Sequence, residues 1–303
     1  MNFKKGIYFS LATALISGIS IFLNGTFVVK LIKDLYISTS VRNIIVAFFL
    51  SSLLLGVSRW IQLRKLSLKQ WGQLVLIGLI GGSLAFLLFF KGLSISQAAA
   101  INGAFIHKTL FLWVALLAIV FLKERLGFWQ IGALGVLLAG TYLAGGPKNW
   151  VIGQGEKLVF LAIILWAIEF IIAKRALKFL PSLIVAWGRM FFGSVFLLGF
   201  LISTHRLGGI GNLNSNQWFW LIGTGILLFG YVTTWYTGLK YAPANVAASI
   251  LTLGFPITVF LNSIFVKHQF EAKNLAGIGL IFMAVLIFVK IQPKPLKLKN
   301  AET

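Results

Sequence analysis

The chain has no cysteine among its 303 residues. Disulfides, thiol nucleophiles and thiolate metal sites are therefore excluded. Acidic residues are also scarce: Asp and Glu together number 6, and Asp34 is the lone aspartate. No pair of carboxylates shares a helix face for acid–base work. The three histidines, His107, His205 and His268, lack metal-ligand spacing, and no Gly-rich phosphate loop precedes a helix. A serine hydrolase would have only His107 and Glu169 to draw on, with no nucleophile motif beside them. The expectation is a protein that is not an enzyme and holds neither cofactor nor metal. With no nucleotide-binding domain, ATP is not hydrolysed here, and any movement of a solute runs downhill or on an ion gradient.

What is abundant is apolar. Hydrophobic residues make up 59% of the chain, charged residues only 11%, and the mean hydropathy is +0.94. Ten continuous apolar runs can be marked, at 6–27, 38–58, 72–91, 97–121, 127–145, 158–178, 182–203, 218–239, 244–266 and 272–291. Each is near the ~20 residues that a helix needs to cross a bilayer, and none alternates as barrel strands do. The fold class read from this is all-α, integral to the membrane. The gaps at 145–157 and 204–216 are rich in Gly and Asn and read as loops. The basic start MNFKK and its apolar run are too long for a cleaved leader and read as a first helix.

The net charge is +21, from 27 Lys and Arg. In a soluble protein this would suggest nucleic acid, but no contiguous basic domain exists, so nucleic acid is not an expected partner. The cations flank apolar runs. With both termini cytoplasmic, the inner loops carry a two-to-one excess of Lys and Arg, which supports that orientation in a plasma (inner) membrane.

The halves echo each other. At an offset of 147 residues Arg42 matches Arg189, Trp71 matches Trp218 and Gly78 matches Gly225. At slightly shorter offsets Gly92-Leu93 matches Gly238-Leu239, and the run from Gly132 matches that from Gly277. Five spans per half is an odd number, so a second copy inserts upside down. This makes ten spans a 5+5 inverted-topology repeat, with 1–146 and 147–291 as the two units and 292–303 as a basic cytoplasmic tail. Such repeats are typical of secondary transporters that bind their substrate near the midplane between the halves.

Polar residues inside these spans are the candidate site. A cation at the bilayer centre costs about 2.5–3.5 kcal/mol on insertion scales, and such residues usually mark a pathway. His107 and Lys108 lie mid-run, on the half of their helix that carries Ala100, Gly103, Ala104 and Ala115. Glu169 lies midway along the sixth run on a face with Ala162, Trp166 and Ala173. A carboxylate there is either neutral or held charged by a nearby cation. Lys108 is the expected partner, as an ion pair that either fixes packing or opens for an anionic or zwitterionic solute. His107 is a candidate proton relay or a donor to a backbone carbonyl.

Asn245, Ser249 and Thr252 form an i, i+4, i+7 stripe that ends at a break before Pro256, which reads as cavity lining or as interhelical hydrogen bonding. Tyr231 and Trp235 are candidate aromatic walls. Arg42 and Arg189 read as structural residues that snorkel to an interface. Asn24, Asn102 and Asn262 are weaker candidates.

The passage FLKERLGFWQIGALGVLLAGTYLAG, residues 121–145, resembles the glutamate-ended fourth helix, short turn and Gly-rich fifth helix of the drug/metabolite transporter superfamily, in its EamA-type ten-helix branch. Arg42, Arg189 and Pro256 are similar to its pattern too. The resemblance implies alternating access around a cavity lined by helices one, three, four, six, eight and nine. It places five and ten at the periphery and implies export. The family's fourth-helix proline would fall at Leu110, which implies an unbroken helix here. Its second glutamate would fall near Gln269, which makes Glu124 structural. The expected partners are a small-molecule substrate (an amino acid or organic anion), the lipid bilayer and protons as coupling ion, in a monomer or homodimer. A non-transporting membrane sensor or partner protein and a membrane-embedded enzyme stay as alternatives.

Overall fold

The computed structural model describes residues 2–56, 60–95, 97–147 and 152–291; the basic tail 292–303 and the loop residues 148–151 lie outside the described residues. Every described element is helical. Ten long helices succeed one another: α1 (Phe3–Leu31), α2 (Leu35–Gly56), α3 (Leu68–Ile95), α4 (Gln97–Lys108 continued by Leu110–Leu122), α5 (Phe128–Gly145), α6 (Gln154–Ala176), α7 (Ser182–Ser203), α8 (Ser215–Tyr241), α9 (Ala244–Lys267) and α10 (Ala272–Lys290). Two short helices, Trp60–Arg64 and Gly208–Gly211, sit in the connections.

Among the described residues, 9 of these helices are long and apolar enough to cross a membrane. The exception is α6, whose Glu156, Lys157, Glu169, Lys174 and Arg175 put three charges in every stretch of that length. Several helices outrun the apolar segments. α3 starts four residues early because Ser67 and Gln70 exchange side-chain-to-backbone bonds at its N-terminus, and Asn214 and Gln217 do the same for α8. α1, at 29 residues, is ~44 Å long by the helical rise, more than the ~30 Å hydrocarbon core.

The contacts come in reciprocal sets. α1 packs on α8 and α9 as α6 packs on α3 and α4, α2 lies on α7, α4 meets α9, and α5 lies along α10. Close approach of backbones drives this where bulk apolar attraction between lipid-bathed helices does not. At the α5–α10 contact, a Cβ on Gly140 would stand 2.9 Å from the Gly277 carbonyl oxygen, and one on Gly277 would stand 2.6 Å from the Ala144 nitrogen. Only hydrogen fits at either position.

The fourth helix is broken, contrary to the expectation drawn from its missing proline. The i−4 bonding ladder is interrupted at Thr109, which sits at φ −78, ψ 0. Its N–H and its hydroxyl both donate to the Ile106 carbonyl, at 3.0 and 2.7 Å. Trp113 Nε1 then donates to the Thr109 hydroxyl at 3.2 Å. A side chain that returns to its own backbone competes with the helical ladder, and no proline is needed.

α9 breaks in the expected place, at Thr252 and Leu253, between Ala244–Leu251 and Gly254–Asn262. Pro256 cannot donate to the Thr252 carbonyl, which takes the Phe255 N–H at 3.0 Å instead. Three π-helical turns add further irregularity, at Asn24–Val28 in α1, Ile80–Leu84 in α3 and Ser263–Lys267 in α9. Such turns inside helices often mark functional sites.

Candidate functional site

Two adjoining cavities occupy the middle of the bundle. The smaller, of about 120 Å³, is lined by Lys108, Thr141, Ala248, Leu251, Thr252 and Phe255 together with the shared wall. The larger, of about 240 Å³, reaches Asn43, Phe86, Phe89, Trp166, Glu169, Arg189 and Trp235. Ser17, Ile21, His107, Leu110, Phe170 and Tyr231 face both. Helices one, three, four, six, eight and nine all contribute, as the resemblance implied. So do Asn43 of α2, Thr141 of α5 and Arg189 of α7, which it did not.

Lys108 is the last residue before the break in α4. The turn at Thr109 ends the first half of α4, and the side chain of the preceding residue lines the smaller cavity. Its Nζ stands 3.3 Å from the centroid of the Phe255 ring, on the first turn after the break in α9. It also lies against the end of α5, 3.2 Å from where a Cβ on Gly145 would be. Among the described residues no carboxylate or carbonyl takes a hydrogen bond from it. An ammonium over an aromatic face gains about 0.5–2 kcal/mol, rising with desolvation.

The expected Lys108–Glu169 ion pair is therefore absent, and Glu169 has other company. The Tyr236 hydroxyl donates to its Oε1 at 2.6 Å, and Arg189 lies beside it at the same turn of α3. The π turn of α3 makes room for this arrangement. A Cβ on Gly81 would fall 2.4 Å from Glu169 Cγ, so only glycine lets the carboxylate side chain lie there. The same turn presents the Gly81 carbonyl, which accepts from Arg189 Nη2 at 3.0 Å and from Trp166 Nε1 at 3.2 Å. The neighbouring Gly82 carbonyl accepts from Asn43 Nδ2 at 3.0 Å.

The reading of the two arginines as interface-snorkelling residues is overturned for Arg189. Arg189 is buried at 8% exposure beside Glu169, and its Nε has no partner among the described residues. Arg42 turns inward as well: it donates to Asn24 Oδ1 in the π turn of α1 and to the Ser38 carbonyl at 3.1 Å. Sequence position alone had placed both near helix starts; Asn24 of α1 for Arg42 and Gly81 of α3 for Arg189 are acceptors on neighbouring helices.

The polar stripe of α9 separates into parts. Thr252 reaches the cavity. Ser249 is buried and donates to the Asn245 carbonyl at 2.8 Å, and neither it nor Asn245 lines either cavity. Asn245 instead receives help: Glu124, in the α4–α5 turn, accepts from the N–H groups of Ala244 and Asn245 at 2.7 and 3.1 Å. A carboxylate on those orphan donors caps α9 from the α4–α5 turn, which is a structural role for Glu124. Lys174 donates to the Leu239 carbonyl at 2.5 Å and to that of Ala242, and so closes the C-terminus of α8 beside it.

Tyr231 and Trp235 stack at 6.5 Å with 12° between ring planes, and Trp235 in turn meets Phe170 at 4.4 Å. His107 lies between the rings of Phe89 and Trp166, at 5.3 and 5.4 Å. Asn102 binds Glu156 at 3.0 Å, away from the cavities. Phe255, Gly81 and Tyr236 were missed by the sequence reading. A π turn or a ring under a cation has no signature in composition or period.

The EamA-like transporter family matches twice, over residues 4–146 and 153–290. The chain belongs to the EamA-like transporter family. It is 25% identical over 242 residues to an uncharacterized transporter of Synechocystis sp., covering 75% of this chain and 68% of that protein. It is 26% identical over 222 residues to the uncharacterized transporter YyaM of Bacillus subtilis, covering 70% of this chain and 71% of that one. A solved crystal structure superimposes with a TM-score of 0.74 at 14% identity, over 94% of this chain and 98% of its own, which shows a shared fold. As an EamA-like transporter with nine such apolar helices, the chain is a multi-pass membrane protein.

Proposed function

We propose that this EamA-like chain is a secondary-active transporter that exports a small metabolite bearing a carboxylate or other anionic group, an amino acid or organic anion, by alternating access. The observation that carries the reading is Lys108: a cation in a central cavity, over the Phe255 ring, with no protein carboxylate on it. Keeping a charge there is costly, and a solute anion is the partner that offsets it. The apolar and aromatic walls from Leu110, Phe170 and Tyr231 suit the rest of a small organic solute.

The mechanism is a rocking of two five-helix units, 1–146 and 147–291, related by an inverted repeat. The two family matches in tandem and the reciprocal helix contacts support it. The breaks at Thr109 and Thr252 are where α4 and α9 bend. Glu169 is the candidate proton carrier, since it lines the cavity and changes its bonding to Tyr236 when it gains a proton. The excess of basic loops on one side supports cytoplasmic termini in the plasma membrane.

Purified protein in liposomes tests this. Labelled amino and organic acids are offered with and without an imposed proton gradient, and saturable flux that responds to the gradient is expected. The response is expected to vanish in Glu169→Gln. A broad panel with no saturable flux would sink the reading, and an unchanged gradient response in Glu169→Gln would sink the proton role.

A further inference from the structure

The charge arrangement of the cavities distinguishes between two kinds of anionic solute. The charged and titratable groups on their walls are His107, Lys108, Glu169, Arg189 and Tyr231. Glu169 is the single carboxylate among them: its Oε1 already accepts the Tyr236 hydroxyl at 2.6 Å, and Arg189 shares the Gly81 turn beside it. A zwitterion would need an acceptor for its ammonium. Glu169 is the only anionic candidate, and an ammonium placed there would stand next to the Arg189 guanidinium and displace the Tyr236 proton donor. Lys108 is in the opposite situation: its neighbours are the Phe255 ring and the end of α5, neither of which carries a full negative charge. Arg189 and Glu169 lie together at the Gly81 turn, whereas Lys108 has no carboxylate near it among the described residues.

We propose that the solute is an organic monoanion without a cationic group, its acid group on Lys108 and its apolar body against Leu110, Phe170 and Tyr231. The proposal rests on the transporter reading above and narrows its substrate class, excluding the zwitterionic amino acid. Like charges near a buried site are rejected strongly because the low local dielectric screens them little. A carboxylate alone on Lys108, by contrast, leaves the Glu169–Arg189–Tyr236 set as it stands.

The experiment compares three compounds on one carbon skeleton in liposomes containing the full chain: the 2-oxo acid of leucine, leucine itself, and isopentylamine. These are an anion, a zwitterion and a cation. Saturable uptake of the oxo acid is expected to exceed that of leucine at least ten-fold, with none of the amine. Lys108→Met is expected to lower the oxo acid uptake at least ten-fold, and Lys108→Arg to restore part of it. Should Lys108→Met fail to fold, as judged by size-exclusion behaviour, competition in the wild type decides: excess leucine must leave oxo acid uptake unchanged. Leucine or amine uptake equal to that of the oxo acid, or competition by leucine, overturns the monoanion while leaving the transporter standing. No saturable uptake of any of the three overturns the transporter reading for solutes of this size, and the monoanion with it.

Discussion

Thr109 and Thr252 hold the same local geometry in opposite halves of the chain. Each directs both its backbone N–H and its hydroxyl to the carbonyl three residues earlier, Ile106 in one case and Ser249 in the other. The carbonyl of each threonine then takes the N–H three residues later, from Leu112 and Phe255. Two helices that face each other are thus interrupted by the same device, once with a proline four residues on and once without. Thr109→Val and Thr252→Val keep the shape and remove the hydroxyl bond. Each is expected to change thermal stability by about 1 kcal/mol, the net worth of one such bond, and to lower the initial rate of flux several-fold. Flux at the wild-type rate in both variants would show that the breaks are not where the helices bend.

Phe255 holds Lys108 by its ring face. Phe255→Leu keeps apolar volume and loses the π system, a loss of about 0.5–2 kcal/mol in placing the ammonium. The half-saturation concentration for transport is expected to rise while the maximal rate changes little, and Phe255→Tyr is expected to restore the wild-type value. An equal fall in maximal rate with both variants would assign the residue to packing.

Gly81 lies under Glu169 with no room for a methyl group, whereas Gly279 on α10 has no atom within 4 Å of a Cβ. Gly81→Ala is expected to cost about 1–3 kcal/mol of stability by overpacking. Gly279→Ala should be neutral or slightly stabilising, because alanine is the better helix former. Thermal unfolding in detergent measures both; equal midpoints would mean that α3 yields at its π turn.

The absence of cysteine leaves a clean background for single-cysteine labelling. Thr252→Cys and Ser17→Cys line the smaller cavity and are expected to react with a water-borne thiol reagent, and Ser249→Cys, buried between helices, is not. Protection of Thr252→Cys by a transported anion would place the solute beside it. Labelling of Ser249→Cys at the rate of Thr252→Cys would restore the whole stripe to the cavity wall.

The spans were legible in the sequence because each long apolar run has a single stable solution in lipid, a helix that bonds its own backbone. α6, with five charged residues, was found as a helix in the same way, though it is not among the nine apolar enough to cross a membrane. The inward faces of Lys108 and Glu169 were legible too, since both sit among small residues at helical spacing. The capping role of Glu124 was approached as structural and has acquired its partners, Ala244 and Asn245.

Which inward faces meet was another matter. Helical periodicity gives the direction of a side chain around its own axis, and says nothing about the helix across from it. Lys108 and Glu169 looked like partners because they were the two opposite charges in sight. The packing of α3, α6, α7 and α8 gave Glu169 to Tyr236 and Arg189, and the break in α9 put Phe255 under Lys108. Composition and period determined that this chain crosses a membrane many times and carries charge inside it. Only the tertiary structure decided which of those charges are matched, because a charge is balanced by distance between helices, and that distance is set by where glycines let backbones approach and where hydroxyls turn a helix aside.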